Sequence, residues 1–142
     1  MTNRQRARID AVRTVGIPVS DQDRALEFYV GVLGFEKLMD APIGQFGGRW
    51  IDLRPPRSTV TVALTPAREA QFAGVDTGIR FTTEDASALH AQLSNDGVDV
   101  DELLRWPGVP PMFDFRDPDG NVLYVSESPA PTNPATDEEE TR

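Results

Sequence analysis

The sequence predicts an α+β fold of two tandem βαβββ modules that form a curved, cup-shaped mixed sheet, with the helices on its outer face. One observation is an internal repeat, because a strand and a helix in the first half recur 64 positions later, and a glycine turn 63 positions later. The other is a two-residue alternation of apolar side chains in six short segments. A unit of roughly 60 residues buries too little surface to be stable alone, so we expect the modules to share one core and a cleft.

The repeat is visible at three matching places in each half. The two copies are Val19-Ser20-Asp21, a helical segment with Ala25, Leu26 and Tyr29, then Gly34-Phe35; and Thr83-Glu84-Asp85, a segment with Leu89, His90 and Leu93, then Gly97-Val98. Each copy is followed by two more strand-like runs, so both halves read strand, helix, strand, strand, strand. We predict modules at 10–66 and 76–128, a linker at 67–75, a flexible N-terminus at 1–9 and a disordered acidic tail at 129–142.

Six predicted strands each have one apolar face, because successive side chains of a strand point to opposite sides. These strands span residues 14–19, 49–54, 59–65, 78–82, 112–116 and 121–126. Helices predicted at 21–33 and 85–95 should cover the apolar face, with Leu26, Tyr29, Leu33, Leu89 and Leu93 at helical spacing. Each apolar residue fully buried there contributes about 1.5–3 kcal/mol, enough to fix the strand register.

The opposite face of the strands is mixed in character, with small, polar and charged residues, one Trp and one Tyr. The candidate site residues on it are Thr14, Gly16, Trp50, Asp52, Gly78, Arg80, Asp114 and Tyr124. Such a face can be solvated, as in many half-exposed antiparallel sheets. It can also line a concave surface that binds a small molecule.

Composition excludes several classes of protein. The chain has 142 residues, no cysteine and a net charge of −9, so disulfides and thiolate sites are excluded and nucleic acid is an unfavourable partner. No apolar run approaches the ~18 residues that a membrane span needs, and no secretory signal is visible at the N-terminus. We therefore expect a cytoplasmic protein with a small-molecule ligand and no nucleic-acid or membrane partner.

Three segments resemble the vicinal oxygen chelate superfamily, which includes glyoxalases, extradiol dioxygenases, fosfomycin-modifying enzymes and bleomycin resistance proteins. They are Ile17 to Asp21 with Leu33-Gly34-Phe35-Glu36, Gly48-Arg49-Trp50-Ile51, and Phe115 to Asn121 with the strand that ends at Glu127. The Asp-Pro-Asp-Gly-Asn hairpin at 117–121 is the most specific part, and the likeness covers about residues 12–128. The resemblance implies a homodimer in which cups form between subunits.

Enzymes of this superfamily hold a divalent metal with a His on the first strand, a His on the fifth and a Glu on the last. The resemblance aligns those positions with Thr14, Gly78 and Tyr124, none of which is a good metal ligand. We therefore expect no metal and no cofactor. An alternative is a carboxylate site for Mg²⁺ or Mn²⁺ built from Asp52 and Asp114. Otherwise each aspartate should pair with Arg54, Arg80 or Arg116.

The resemblance then implies a metal-free binder of the bleomycin resistance type, which sequesters an aromatic or conjugated compound such as an antibiotic. Trp50 and Tyr124 would stack on the ligand, with Arg80, Asp52 and Asp114 as polar anchors and Thr14, Gly16 and Gly78 leaving room. The alternative is a glyoxalase- or dioxygenase-like enzyme, a lyase or isomerase, that uses a carboxylate-held metal or acid/base catalysis. A regulatory domain whose acidic tail recruits a partner is a third possibility.

Three further residues or segments have predicted roles. His90, the one histidine, should pack beside the helix–sheet interface, and Arg49 should be a structural pairing residue. Trp50 is the residue we most expect to touch ligand. The loop at 104–111, which contains Trp106, is either a lid over the cup or an ordinary rigid connection.

Overall fold

The computed structural model describes residues 6–69 and 71–128 and divides the chain into two compact units, Met1–Ala73 and Gly74–Arg142. The predicted disordered tail at 129–142 and the first five residues of the predicted flexible N-terminus lie outside the described residues. Among the helices of the described ranges, none is both long enough and apolar enough to cross a membrane.

The first unit is a four-stranded mixed sheet with one helical segment. Its elements are β1 (Thr14–Val19), α1 (Gln22–Leu26) continuing as a π-helix (Glu27–Val32), β2 (Glu36–Pro42), a 3₁₀ turn (Gly44–Phe46), β3 (Arg49–Arg54) and β4 (Thr61–Pro66). The strand order is β1-β4-β3-β2. β1 and β4 run parallel, and the other neighbours are antiparallel.

The second unit repeats this arrangement. Its elements are β5 (Asp76–Thr83), α2 (Ala86–Asn95), β6 (Asp99–Val100), β7 (Met112–Arg116) and β8 (Val122–Glu127). The order β5-β8-β7-β6, with β5 and β8 parallel, matches that of the first unit. The two tandem βαβββ modules predicted from the repeat are therefore confirmed.

Both helices begin one residue later than predicted, because an aspartate caps each of them. Asp21 and Asp85 have extended backbones, and their carboxylates accept the N–H groups of Arg24 at 3.1 Å and Ala88 at 3.0 Å. The repeated Asp is thus a helix N-cap, a position that favours this residue type.

The first helix also changes its hydrogen-bond pattern where its aromatic residues are buried. Leu33 donates its N–H to the carbonyl of Phe28, five residues back, at 3.0 Å. Spacing alone predicts no π-helix, since such turns are rare and depend on tertiary packing. Phe28 and Tyr29 pack edge to face with their ring centroids 5.2 Å apart, and both are buried.

The core of each unit consists of one helix face and most of the predicted apolar strand faces, although Val15, Ile79 and Phe81 are only half-buried. Buried members include Ile17, Val19, Ile51, Leu53, Val62 and Leu64 in the first unit, and Phe113, Phe115, Leu123 and Val125 in the second. The helix prediction was partly wrong, because Leu26, Leu33 and Leu89 are only half-buried. Ala25, Phe28 and Tyr29, at positions i, i+3 and i+4, form the buried face of the first helix instead.

The Asp-Pro-Asp-Gly-Asn hairpin holds the start of β5. Asn121 is completely buried, and its side-chain oxygen accepts the N–H groups of Gly74 at 2.8 Å and Val75 at 2.9 Å. Its side-chain nitrogen donates to Asp117, whose carboxylate also accepts the N–H groups of Asp119 and Asn121. The motif therefore connects the β7–β8 turn to the strand that enters the sheet beside β8.

Candidate functional site

The candidate site of the first unit lies on the sheet face opposite the buried apolar residues, which we call its open face. Gly16 on β1 pairs with Ala63 on β4, and Ala63 pairs with Asp52 on β3. These residues form one row across three neighbouring strands. Trp50 precedes Asp52 by two positions and therefore shares its side of the sheet.

This open face has space over Gly16 on β1 and an exposed aromatic ring, Trp50, on β3, with β4 between the two strands. A Cβ atom built onto Gly16 would contact only Thr65 Cγ2, at 3.9 Å. Trp50 is 38 % exposed, which leaves part of its indole accessible. Because exposed aromatic surface suits a flat ligand, Trp50 can hold an aromatic compound by stacking.

Asp52 does not have the arginine partner that the sequence suggested. Its Oδ1 atom is shielded from solvent and has no hydrogen-bond partner within the part of the chain that the structure describes. Arg54, the nearest arginine on the same strand, binds Glu36 at 2.6 Å instead. Arg54, one of the three arginines considered as partners of the aspartates, pairs elsewhere because Glu36 lies directly opposite it on β2.

Thr14 and Arg49, both singled out in the sequence, bind other residues of the first unit. Thr14 donates its hydroxyl to the carbonyl of Thr61 at 3.1 Å and accepts the Thr61 hydroxyl at 2.7 Å. Arg49 binds Asp40 and Asp23, each at 2.9 Å, which confirms its predicted pairing role. The hydrogen bond from Arg49 lowers the pKa of Asp40.

The open face of the second unit carries Arg80, Tyr124 and Asp114 in one cross-strand row. The Arg80 guanidinium lies over the Tyr124 ring, with Cζ 4.5 Å from the centroid, and donates to the carbonyl of Gly78 at 2.9 Å. The Tyr124 hydroxyl donates to Asp76 at 2.7 Å, and this hydrogen bond raises the pKa of the phenol. One face of the Tyr124 ring is therefore covered by Arg80.

Asp114 belongs to a group of two carboxyls and one arginine. Arg116 lies 3.1 Å from Asp101 and 3.6 Å from Asp114. Burial, and then a hydrogen bond with Asp101, raise the pKa of Asp114, whereas hydrogen bonds from Asp114 and Arg116 lower the pKa of Asp101. As pH falls, Asp114 should therefore take up a proton before Asp101 does, because Asp114 is less exposed and further from the arginine.

This geometry predicts a pH-dependent gain in stability for Asp114→Asn. Because the pKa of Asp114 is raised on folding, its contribution favours the fold below its unfolded pKa and is lost as pH rises through the folded value. The variant should gain about 0.5 kcal/mol in free energy of unfolding at pH 7. The gain should disappear near pH ~3, where wild-type Asp114 is protonated.

Urea denaturation between those pH values measures this difference. Asp99→Asn removes the same charge from the residue opposite Arg116 on β6 and should give no gain at pH 7. A loss of stability at pH 7 in the Asp114 variant would contradict the assignment of the proton.

The residues at the usual metal positions do not fit a divalent ion. Thr14 is hydrogen-bonded to Thr61, Gly78 has no side chain, and Tyr124 is a phenol bound to Asp76. Within residues 6–69 and 71–128, no three His, Cys, Asp or Glu side chains are grouped so that they could hold a metal ion. Asp52 and Asp114, the alternative pair, lie in different units.

His90 packs against the sheet of the second unit, and hydrogen bonds close the base of the 104–111 loop. The His90 ring packs edge to face on Phe113, with centroids 5.1 Å apart, and its Nε2 lies 2.8 Å from the carbonyl of Asp101. This confirms the predicted position beside the helix–sheet interface. Paired hydrogen bonds between Leu104 and Met112 close the base of the loop, and Trp106 is 58 % exposed on it.

Sequence reasoning missed three residues beside the candidate site. Asp76 and Asp101 are the partners of Tyr124 and Asp114, and Met39 lies opposite Asp52 on β2. Asp76 could have been found, since it precedes Gly78 by two positions on the same strand. Met39 could not, because a register shift between Lys37 and Met39 breaks the alternation there.

The repeated strand order, with a parallel outer pair and one helix per unit, defines a protein built from paired βαβββ modules. The chain belongs to the Glyoxalase/Bleomycin resistance protein/Dioxygenase superfamily, whose family model matches residues 8–125. The resemblance seen in the sequence is thereby confirmed.

Individual relatives cover most of the chain. TnmS3, an antibiotic binding protein from Streptomyces sp. CB03234, is similar with a TM-score of 0.77 and 32% identity, over 86% of this chain and 98% of that one. A superfamily member from Sphaerobacter thermophilus DSM 20745 has a TM-score of 0.77 and 33% identity, over 84% and 98%. The uncharacterized Bacillus subtilis (strain 168) protein YetH is 26% identical over 84% of this chain and 99% of its own length.

Proposed function

We propose that this protein binds an aromatic or conjugated small molecule, such as an antibiotic, and sequesters it without changing it chemically. The observation that carries the proposal is the accessible indole of Trp50, on the same side of the sheet as the space over Gly16. The 32% identity to TnmS3, an antibiotic binding protein, supports the same class of ligand.

The proposed contacts divide by unit. In the first unit, Trp50 stacks on the ligand, Asp52 anchors a polar group, and Thr14 and Gly16 leave room. In the second unit, Arg80 and Asp114 are the polar anchors, and Tyr124 offers the ring face opposite Arg80, with Gly78 leaving room beside it. We also propose a homodimer, as the family resemblance implies.

Replacement of Trp50 tests the proposal directly. A thermal-shift screen against aromatic natural products and antibiotics should find a stabilising compound, and Trp50→Ala should weaken its binding 10-fold or more. Loss of a stacking aromatic at the centre of a site costs about 2 kcal/mol, and 1.4 kcal/mol is tenfold in affinity. Isothermal titration calorimetry measures the change without interference from tryptophan emission.

Trp106→Ala is the matched control, since it removes the same side chain from an exposed position in the 104–111 loop. Its affinity should stay within about twofold of wild type, well below 1 kcal/mol. Binding that survives Trp50→Ala but fails with Trp106→Ala would place the ligand under the loop and contradict the proposed contact.

A second candidate function is acid/base catalysis of the lyase or isomerase kind. It is favoured by the raised pKa of Asp114, since a raised pKa brings a carboxyl closer to the range that acid/base catalysis uses. NMR of the compound recovered after incubation separates the two functions. An unchanged compound supports sequestration, and an isomer or fragment whose formation stops in Asp114→Asn supports the enzyme.

A further inference from the structure

The carboxylate of Asp52 is the feature of the first unit that its own fold leaves unexplained. Buried polar atoms in folded proteins almost always have hydrogen-bond partners, and an exception calls for a functional explanation. Among the described residues, Asp52 Oδ1 is the one buried side-chain oxygen or nitrogen without such a partner.

The neighbours of Asp52 across the sheet cannot supply a donor. Ala63 lies beside it on β4, Gly16 lies one strand further, and Met39 lies opposite it on β2. None of these side chains carries an N–H or O–H group. The row therefore presents one acceptor in an otherwise apolar strip.

The carboxylates on the neighbouring strand β2, unlike Asp52, are paired with arginines. Asp40 binds Arg49 at 2.9 Å, and Glu36 binds Arg54 at 2.6 Å, on the strand next to Asp52. Both arginines of β3 are thus already paired with other residues. A carboxylate oxygen that is removed from water without a cation or donor opposes folding, so its retention needs a gain elsewhere.

Part of the Asp52 side chain is exposed, on the same side of the sheet as the indole of Trp50. The Asp52 side chain as a whole is only half-buried, and rotation about its Cβ–Cγ bond can present either oxygen. Space remains above Gly16, where a Cβ atom would meet only Thr65 Cγ2 at 3.9 Å. A ring stacked on Trp50 could extend a substituent to Asp52, which lies two positions further along β3 on the same side of the sheet.

We infer that the ligand is an aromatic compound that carries a hydrogen-bond donor, a protonated amine or a hydroxyl, and that Asp52 accepts this donor. The inference rests on the proposed function and adds the chemical class of the ligand. An aromatic carboxylate is excluded by it, because two carboxylates without a shared cation repel each other.

Three naphthalene probes that differ in one group test the inference: 2-naphthylmethylammonium, 2-naphthol and 2-naphthoate. Calorimetry should show that the ammonium or the naphthol binds at least 10-fold more tightly than the naphthoate. If the ammonium binds best, Asp52→Asn should weaken it 10-fold or more, since the amide keeps an acceptor but loses the charge. If the naphthol binds best, Asp52→Asn should change its affinity less than threefold and Asp52→Ala should weaken it 10-fold.

The free protein supplies a second readout that needs no ligand. Asp52→Asn should leave the thermal midpoint unchanged or raise it, because the carboxylate has no partner to lose. Asp40→Asn is the matched control: it breaks the pair with Arg49, so it should lower the midpoint and leave probe binding unchanged. A midpoint that falls in Asp52→Asn as it does in Asp40→Asn would assign Asp52 a structural role and overturn the inference.

The remaining outcomes separate this inference from the proposed function. If Trp50→Ala weakens probe binding while both Asp52 variants leave it unchanged, aromatic binding stands and the role of Asp52 is overturned. If 2-naphthoate binds most tightly of the three probes, aromatic binding likewise stands and the role of Asp52 is overturned. If no probe binds at millimolar concentration, both the proposed function and the donor requirement are overturned.

Discussion

Asn121→Ala should lower the free energy of unfolding by about 2–4 kcal/mol, a large part of the stability of a domain this size. The substitution removes a side chain that is completely buried in the second unit. It leaves the N–H groups of Gly74 and Val75 without the oxygen that accepts both. An unsatisfied donor costs roughly 1–3 kcal/mol when fully buried, so the half-buried N–H of Val75 contributes more to the loss than that of exposed Gly74.

The loss should extend to the hairpin that contains Asn121. The side-chain nitrogen donates to the buried carboxylate of Asp117 at 2.9 Å, so that carboxylate loses one of its donors as well. Because Gly74 and Val75 lead into β5, the first strand of the second unit should loosen together with the turn before β8. Hydrogen exchange should therefore rise at the start of β5 as well as in the hairpin.

Asn95→Ala is the matched control, since Asn95 is exposed at the last residue of α2. Alanine is the better helix former, so this variant should stay within about 0.5 kcal/mol of wild type or gain slightly. Urea denaturation compares both variants. Equal stability of the Asn121 and Asn95 variants would show that the hairpin motif has no structural role in holding β5.

The fold could be predicted because its signals are local and repeated. Alternation of Ile51 and Leu53 with Trp50 and Asp52 fixes which side of β3 is buried, whatever the rest of the chain does. The paired copies of Ser/Glu-Asp before each helix fixed the helix starts to within one residue. The π-helical turn at Glu27–Val32 had no such signal, since it depends on how Phe28 and Tyr29 pack in the folded unit.

The candidate site could be predicted only as a set of side chains on one face. The two-residue alternation of a strand predicts on which side of the sheet a residue lies. It does not predict the partner of a long side chain, because several neighbours are within reach. Arg54 binds Glu36 and not Asp52, and Arg80 lies on the Tyr124 ring. Those choices leave Asp52 with an unpartnered oxygen, and this is the property on which the donor requirement rests.

Gly48→Ala should also be strongly destabilising, by about 2–4 kcal/mol, because two costs add at this position. The backbone φ of +75° is one that a side chain disfavours. A Cβ atom would also lie 2.8 Å from Cγ of Pro66 and 3.3 Å from Oε1 of Gln22. Real Cβ atoms do not approach a ring carbon this closely, so Pro66, the end of β4, must shift.

Gln22 makes this shift costly because it joins three elements. Its side chain donates to the carbonyls of Arg49 at 2.6 Å and Leu64 at 2.9 Å, and it accepts the Arg49 N–H at 3.0 Å. Displacement of Gln22 or Pro66 therefore disturbs the ends of β3 and β4 together. Since Trp50 follows Arg49 directly, the proposed aromatic contact should weaken in the same variant.

Gly44→Ala separates the two costs, because Gly44 has the same φ of +75° but nothing within 4 Å of an added Cβ atom. It should lose only about 1 kcal/mol, the cost of the backbone conformation alone. The difference between the two variants in urea denaturation then measures the contact with Pro66 and Gln22. Equal losses would mean that Pro66 moves freely, and the turn before β3 would then have no part in holding Trp50 on the open face.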